Sequence, residues 1–476
     1  MSILSRPFLQ HLCASFVFCG ATLAHAQAIV TIDGGDTFQT ILGWGGNTYS
    51  WILNKWNGWA DERVYTVAFK ESGVTHVRMA TEFDSWEREN DDDDPHHFNW
   101  EYFAARFHQR DVPALLVQSD FAMMNKIANL PDKRLMIGIW NLPDWMVSDP
   151  AKKNHRRLTR SRYPEFAESV AAYLLWARDR HNIEISEIVL ANEPDGTFME
   201  YSPEELRDLI KIVGAKFKRE GLTTKIVAPD LASPHFDPEV WVPALLNDSV
   251  AVSFLSAISY HTYYVEGGPD QWNTAFASIA RLAAARGLPV YYTEVGTTPW
   301  HIPNTMWPWA FECAQMWHNI LTHGNASLGF QWALLGRDYA VNPDASRNPI
   351  FYAMGQFSWH IPAGAVRIAA ESDHHDLLVS AFHHQGVNSA QIVFINRLAT
   401  ALQVSVNVQN LNLSTLQSYR TSAGENHVRG SEYRIASHKL RFGAPAFSIM
   451  TLTGTILTEK DKSLLAPAIG KQIKGK

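Results

Sequence analysis

Two glutamates in this chain close stretches of the same kind. Glu193 lies in Ile188-Val-Leu-Ala-Asn-Glu-Pro-Asp-Gly196, and Glu294 ends Leu288-Pro-Val-Tyr-Tyr-Thr-Glu294, about a hundred residues later. In both, a continuous apolar run reads as a strand buried on two faces, as parallel sheets require. Pro194 cannot donate to a ladder and closes the first run. Beside it, the Asn192 carboxamide can donate two hydrogen bonds. Two carboxylates held at strand ends suit acid–base and nucleophilic work at an acetal carbon. One protonates the departing oxygen, and the other attacks the anomeric carbon and carries the sugar as a covalent intermediate. That division needs one carboxyl raised in pKa and the other held ionised by donors and a cation.

Further residues could serve such a pair. Arg78, at the end of Val74-Thr-His-Val-Arg-Met-Ala80, is a candidate cation, although an arginine there could equally close a barrel-end ion pair. His261 and Tyr263 end another apolar run, and the Tyr263 phenol could donate to Glu294. Trp140 in Ile139-Trp-Asn-Leu-Pro143-Asp-Trp145-Met146, and Trp332 in Phe330-Gln-Trp332, are expected as walls of a sugar site, with Trp145 packing beneath. An exposed indole at a strand end is costly unless a ligand covers it.

These positions require a common scaffold. Strand-then-helix alternation recurs about eight times, which argues for a parallel sheet closed as a (β/α)8 barrel. Strands are expected near 42–47, 74–80, 134–140, 186–193, 225–230, 255–263, 288–294 and 327–333, with amphipathic helices such as Phe166 to Arg178 and Pro203 to Arg219 between them. From about Ala365 the texture becomes short alternating strands, near 375–382, 389–396, 401–408, 417–421 and 444–452, which reads as a side all-β sandwich. The expected organisation is thus a signal peptide at 1–26, an N-terminal strand at 27–40 joining the sandwich, the barrel at 41–362, the sandwich at 363–456 and a disordered tail at 457–476.

Composition agrees with a globular, exported protein. Arg6, the apolar stretch Leu12 to Leu23 and Ala24-His-Ala26 form a secretory leader cleaved after Ala26, too short to span a bilayer. Cys13 and Cys19 leave with it, so Cys313 alone remains, in a helical pattern where it reads as a small apolar core residue. The net charge is −7; setting aside +1 in the leader and +3 in the lysine-rich tail, the body carries about −11. That disfavours nucleic acid or a polyanion as partner. The 17 Trp, 15 Tyr and 24 Phe suit either a large core or sugar stacking.

No metal is expected. The acidic run Glu89-Asn-Asp-Asp-Asp-Asp-Pro95 reads as a solvated loop, because a consecutive run rarely folds into the cage of six to eight oxygens that calcium takes. The pairs His96-His97, His374-His375 and His383-His384 lack metal-ligand spacing.

Taken together, these motifs resemble glycoside hydrolase family thirty, which includes glucosylceramidases, glucuronoxylanases and β-1,6-glucanases. Leu42-Gly-Trp-Gly-Gly46 is similar to the family's opening Gly-Phe-Gly-Gly, Val77-Arg78-Met79-Ala80 to its strand-two arginine motif, and Trp140…Pro143…Trp145-Met146 to its strand-three motif. Asn192-Glu193-Pro194 matches its acid/base motif, Glu294 its nucleophile, and His261-Thr-Tyr263 its strand-six His-x-Tyr. Gly355-Gln-Phe-Ser358, Ile361-Pro362, Gly364 and Val366-Arg367-Ile368 resemble its passage from barrel to β module, and Phe394-Ile-Asn396-Arg397 one of its later strands. There are two departures. Glu82 stands nearest to an aspartate that contacts sugar hydroxyls in the glucosylceramidase branch, and Ile139 stands where proline precedes the tryptophan.

The resemblance implies a secreted or periplasmic retaining β-glycosidase acting on an extracellular β-linked glycan. Glu193 would be acid/base and Glu294 nucleophile; Asn192, Arg78, Trp140, Tyr263, His261, Trp332 and Glu82 would bind substrate. No cofactor, nucleic acid or membrane span is expected, and the chain is expected as a monomer. A non-catalytic glycan-binding protein on this scaffold would typically have lost a carboxylate. A transglycosylase would keep every residue named and differ in excluding water.

Overall fold

The computed structural model describes residues 27–49, 62–196, 198–263, 267–296, 305–336 and 339–457. The expected leader at 1–26 and the tail from 458 onward lie outside the described residues. Eight strands close into a barrel in chain order: β2 (Gly45–Tyr49), β3 (His76–Thr81), β4 (Arg134–Ile139), β5 (Glu187–Val189), β6 (Lys225–Leu231), β7 (Leu255–His261), β8 (Val290–Val295) and β9 (Ala326–Gln331). Every neighbouring pair is parallel, β9 closing on β2 through Gly45↔Phe330 and Gly46↔Gln331. Parallel strands buried on both faces carry continuous apolar runs, and β2, β3, β8 and β9 are buried at each position.

The helices between strands are set by local signals. Pro203–Arg219 begins at Ser202, whose hydroxyl accepts from the Glu205 backbone while the Glu205 carboxylate accepts from the Ser202 N–H, with Pro203 at the first turn. The helix Trp307–Thr322 buries Cys313 completely within the barrel core, as its pattern suggested.

Strand β1 (Gln27–Thr40) precedes the barrel but belongs to a second, nine-stranded sheet. There it lies between β10 (Val366–Ser372), antiparallel, and β13 (Leu402–Gln409), parallel. The sheet also contains β11 (Leu377–His384), β12 (Ser389–Asn396), β14 (Thr415–Ser422), β15 (Glu425–Arg434), β16 (Lys439–Ala444) and β17 (Ser448–Thr455). It folds over on itself: Phe394 of β12 meets Phe442 of β16 at 5.0 Å, and Tyr433 of β15 meets the same ring at 5.6 Å. Alternation along β12 sends Ile392 and Phe394 into this core and Val393 and Ile395 into the barrel core. Thr451 and Gln356 join the two parts, the threonine hydroxyl donating to the glutamine carbonyl at 2.7 Å. Strand β5 is shorter than its sequence suggests. Glu193 therefore lies four residues beyond it, in a turn where its φ is 50°.

Candidate active site

Arg78 rises from β3 into the barrel mouth, wholly buried. Across from it β4 carries Gly138, where a Cβ would come 3.2 Å from Nη2; the missing side chain leaves room for the guanidinium. Nη1 donates to Glu294 Oε1 at 2.7 Å and to Asn47 Oδ1 at 3.1 Å. Nη2 donates to Asn192 Oδ1 at 2.6 Å and to Asp230 Oδ2 at 2.8 Å. The rigid fork thus fixes residues from β2, β6, β8 and the turn after β5, which a flexible ammonium would do less well.

His261 ends β7 with its ring among three carboxylates. Nδ1 is 3.0 Å from Glu193 Oε1 and 3.6 Å from Glu294 Oε2, and Nε2 is 3.3 Å from Asp230 Oδ2. Burial alone would depress its pKa, but Glu294 and Asp230 outweigh that and raise it to about 10, so the ring is an imidazolium donating from both nitrogens. Asp230 is likewise fully buried, yet Arg78 and His261 hold its pKa down at about 2, with the Thr293 hydroxyl donating to its other oxygen. At Glu294 burial pushes the carboxyl upward, while His261 and Arg78 pull it back. The Tyr263 hydroxyl donates to Glu294 Oε2 at 2.9 Å, and burial keeps that phenol protonated well beyond its ordinary range.

Glu193 comes to His261 from its strained turn. A positive φ outside glycine is held only where the surroundings fix it. Here the Asn192 N–H donates to Ile139 O at 2.8 Å, and the Glu193 N–H to Asp230 O at 3.1 Å. One oxygen of Glu193, one nitrogen of His261 and one oxygen of Glu294 lie within 4.8 Å of one another. These are metal-ligating residue types, but an imidazolium offers no lone pair to a cation.

Trp140 and Trp332, expected as walls of a sugar site, lie against one another. They stack on each other at 5.3 Å and 24°, continued by Tyr49 against Trp332 at 5.7 Å and Phe198 against Trp140 at 5.6 Å. The four rings make one row. Trp332 is held beside β8 by its backbone N–H to Val295 O at 3.0 Å. Trp145 is tied down by its indole N–H to Glu87 O at 2.9 Å.

Arg78, His261, Tyr263, Asn192, Glu193 and Glu294 are thus brought into one network. Glu82 is not part of it. Its N–H donates to Asp120, and burial together with Asp84 raises its carboxyl to about 7. Asp84, two residues on, accepts from Asn141 beside Trp140 at 3.0 Å. The sequence reading missed Asp230, Asn47 and Thr293. Asp230 carried the same signal as the glutamates, a carboxylate ending the apolar run Ile226-Val-Ala-Pro-Asp230.

No family model matches the chain. A curated relative, the glucuronoxylanase of Bacillus subtilis, is 24% identical over 325 residues, covering 66% of this chain and 72% of that protein. Among solved structures, a glycoside hydrolase family thirty endoxylanase from Clostridium papyrosolvens superposes with a TM-score of 0.71 at 20% identity, covering 90% of this chain and 99% of its own. An endo-β-1,6-glucanase superposes at 0.64 with 18% identity, over 90% and 93%. The resemblance read from the motifs, and the barrel with its all-β partner, are borne out by these matches.

Proposed function

We propose that this chain, a glycoside hydrolase of family thirty, is a secreted retaining β-glycosidase that cleaves a β-linked polysaccharide of hemicellulose or β-glucan type. The observation that carries the proposal is the approach of Glu193 and Glu294, with oxygens within 4.8 Å of each other and both facing Nδ1 of His261. Double displacement works at a carboxyl separation of about 5–5.5 Å, whereas inversion needs about 6.5–9.5 Å to admit water. Glu294, facing the donors Arg78 and Tyr263, attacks the anomeric carbon as the carboxylate. Glu193 gives its proton to the leaving oxygen, and the C–O bond breaks. Water then enters, Glu193 takes its proton, and the ester to Glu294 opens. With Asn192 Oδ1 engaged by Arg78, the amide NH2 is the end that meets a sugar hydroxyl, a contact that strengthens in the transition state.

The β-glycan class draws support from what the relatives are named for: glucuronoxylan in one, β-1,6-glucan in another. The leader at 1–26 supports secretion. Among the described residues no helix is long and apolar enough to cross a membrane. The test is hydrolysis of xylan, β-1,6-glucan, β-1,6-galactan and glucosylceramide by the purified chain, with the new reducing end followed by NMR. The β anomer appearing first on one of these polymers is expected. An α anomer appearing first overturns the retaining mechanism, and tight binding to a polymer without any cleavage overturns the activity.

A further inference from the structure

Away from the barrel mouth, a second group of carboxylates gathers where the loop after β3 crosses the helix Tyr163–His181. Glu87 and Asp91 come from the loop and Glu168 from the helix. One oxygen of each lies within 4.8 Å of the other two. The acidic run behaves in part as a solvated loop, since Asp93 and Asp94 are exposed, but Asp91 turns inward.

Glu87 and Glu168 are fully buried. Neither carboxylate oxygen of Glu168 meets a hydrogen-bond donor, nor does Glu87 Oε2. The fully buried Ser169 hydroxyl faces Glu87 without a partner in bonding geometry, and Asn90 Oδ1 on the same loop is also buried and unpartnered. Among the described residues no lysine, arginine or histidine is within ion-pair distance of the three acids. Lys216, whose charge is felt at Glu168, sends Nζ instead to Pro95 O at 2.9 Å and Glu220 at 3.5 Å. Buried carboxylates are paired, protonated or ligating, because an isolated buried charge is too costly. Without a cation, burial and the neighbouring acids push Glu168 up to about 10 and raise Glu87 and Asp91 as well.

We propose that Glu87, Asp91 and Glu168 form a binding site for one calcium-class divalent cation, which pins the loop after β3 to the helix behind it. Ca²⁺ takes oxygen ligands at about 2.3–2.6 Å, so a single ion can touch oxygens up to about twice that distance apart. The three acids meet this spacing, and the buried Ser169 hydroxyl beside Glu87 offers a further oxygen. Loading the site displaces the protons the acids would otherwise hold. The acidic run by itself argues against calcium, because a consecutive run rarely makes a cage; Glu168, which lies far from the run in sequence, supplies the missing side of the site.

The experiment uses the full chain, stripped with EDTA and dialysed, and titrated at neutral pH with Ca²⁺ by calorimetry and with Tb³⁺ by luminescence under tryptophan excitation. Trp86 adjoins Glu87 and Trp145 hydrogen-bonds its carbonyl, so sensitised emission is available. Expected are one ion per chain, emission reversed by Ca²⁺, and a Tm raised by several degrees with Ca²⁺. Glu168→Gln and Asp91→Asn should each weaken binding at least tenfold. If Glu168→Gln does not fold, Asp91→Asn on its half-exposed loop decides alone. No emission and no Ca²⁺-dependent Tm in the unaltered chain overturns the proposal in favour of a protonated carboxyl cluster. Affinity unchanged in the folded variants overturns it too, moving the ion to the exposed face of Asp92–Asp94.

Discussion

Arg78 meets Glu294 at 2.7 Å with both side chains shut away from solvent, and the same guanidinium holds Asp230 at 2.8 Å from its other nitrogen. Removing one partner of a buried ion pair leaves the other charge uncompensated, at a cost of about 3–5 kcal/mol. Arg78→Met strands two carboxylates at once. It should lower the unfolding free energy by at least that amount, measured by denaturant titration, and remove activity along with it. An unfolding free energy within about 1 kcal/mol of the unaltered chain would show that the carboxylates had simply taken up protons.

Tyr263 supplies the second donor to Glu294. A hydrogen bond to a charged group contributes about 1.5–3 kcal/mol, so Tyr263→Phe should cut kcat/KM by about ten- to a hundredfold without unfolding the chain. Losing a donor to the ionised form also moves the Glu294 carboxyl further up. The acid limb of the pH–rate profile should therefore shift to higher pH in Tyr263→Phe. An acid limb that stays in place would mean another group sets it.

Stability should depend on pH through the same network. His261 is held at about 10 in the fold against about 6.5 when unfolded. Its contribution is complete below about 6.5 and is lost as the pH climbs toward 10. Asp230 sits at about 2 against about 3.9 unfolded. Its contribution is complete above about 4 and is lost as the pH falls toward 2. Between about 4 and 6.5 both are present. Unfolding curves at pH 5, 8 and 10 should show stability falling with pH more steeply in the unaltered chain than in His261→Gln. Parallel curves would mean the imidazole is neutral throughout.

Much of this network could be read from residue types because a closed parallel barrel leaves its strand ends nowhere to go but one mouth. Arg78, His261, Tyr263 and the two glutamates each end an apolar run, and the fold brings them together. Asp230 obeyed the same rule at the end of the strand expected near 225–230, but it carries no motif beside it such as Asn192-Glu193-Pro194 to single it out. Trp140 and Trp332 follow β4 and β9, which are not neighbours in the barrel, so no local pattern encodes their stacking. Strand β15 escaped notice because it is an edge strand, and the charged residues that protect an edge erase the apolar alternation. The carboxylates of Glu87 and Glu168 meet only through packing between a loop and a helix.

The assignment of roles to Glu193 and Glu294 is tested by replacing each with alanine and adding azide. Glu294 receives Arg78 and Tyr263, the donors a carboxylate nucleophile needs, while Glu193 meets the imidazolium of His261 from its own turn. Glu294→Ala should abolish turnover of every substrate, because no other group forms the glycosyl-enzyme. Glu193→Ala should lose about 10²–10⁴-fold on a natural glycan, the usual worth of general acid help. An aryl glycoside with a good leaving group needs little protonation, so its first step should suffer less. The second step should still slow, since the same residue then serves as base. Azide needs no base to attack the intermediate. It should restore turnover in Glu193→Ala and give the β-glycosyl azide, after two inversions at the anomeric carbon. In Glu294→Ala azide can only attack the substrate directly, and the single inversion gives the α-azide. Product configurations read by NMR in the opposite sense would exchange the two roles, and an α-azide from both variants would remove the covalent intermediate altogether.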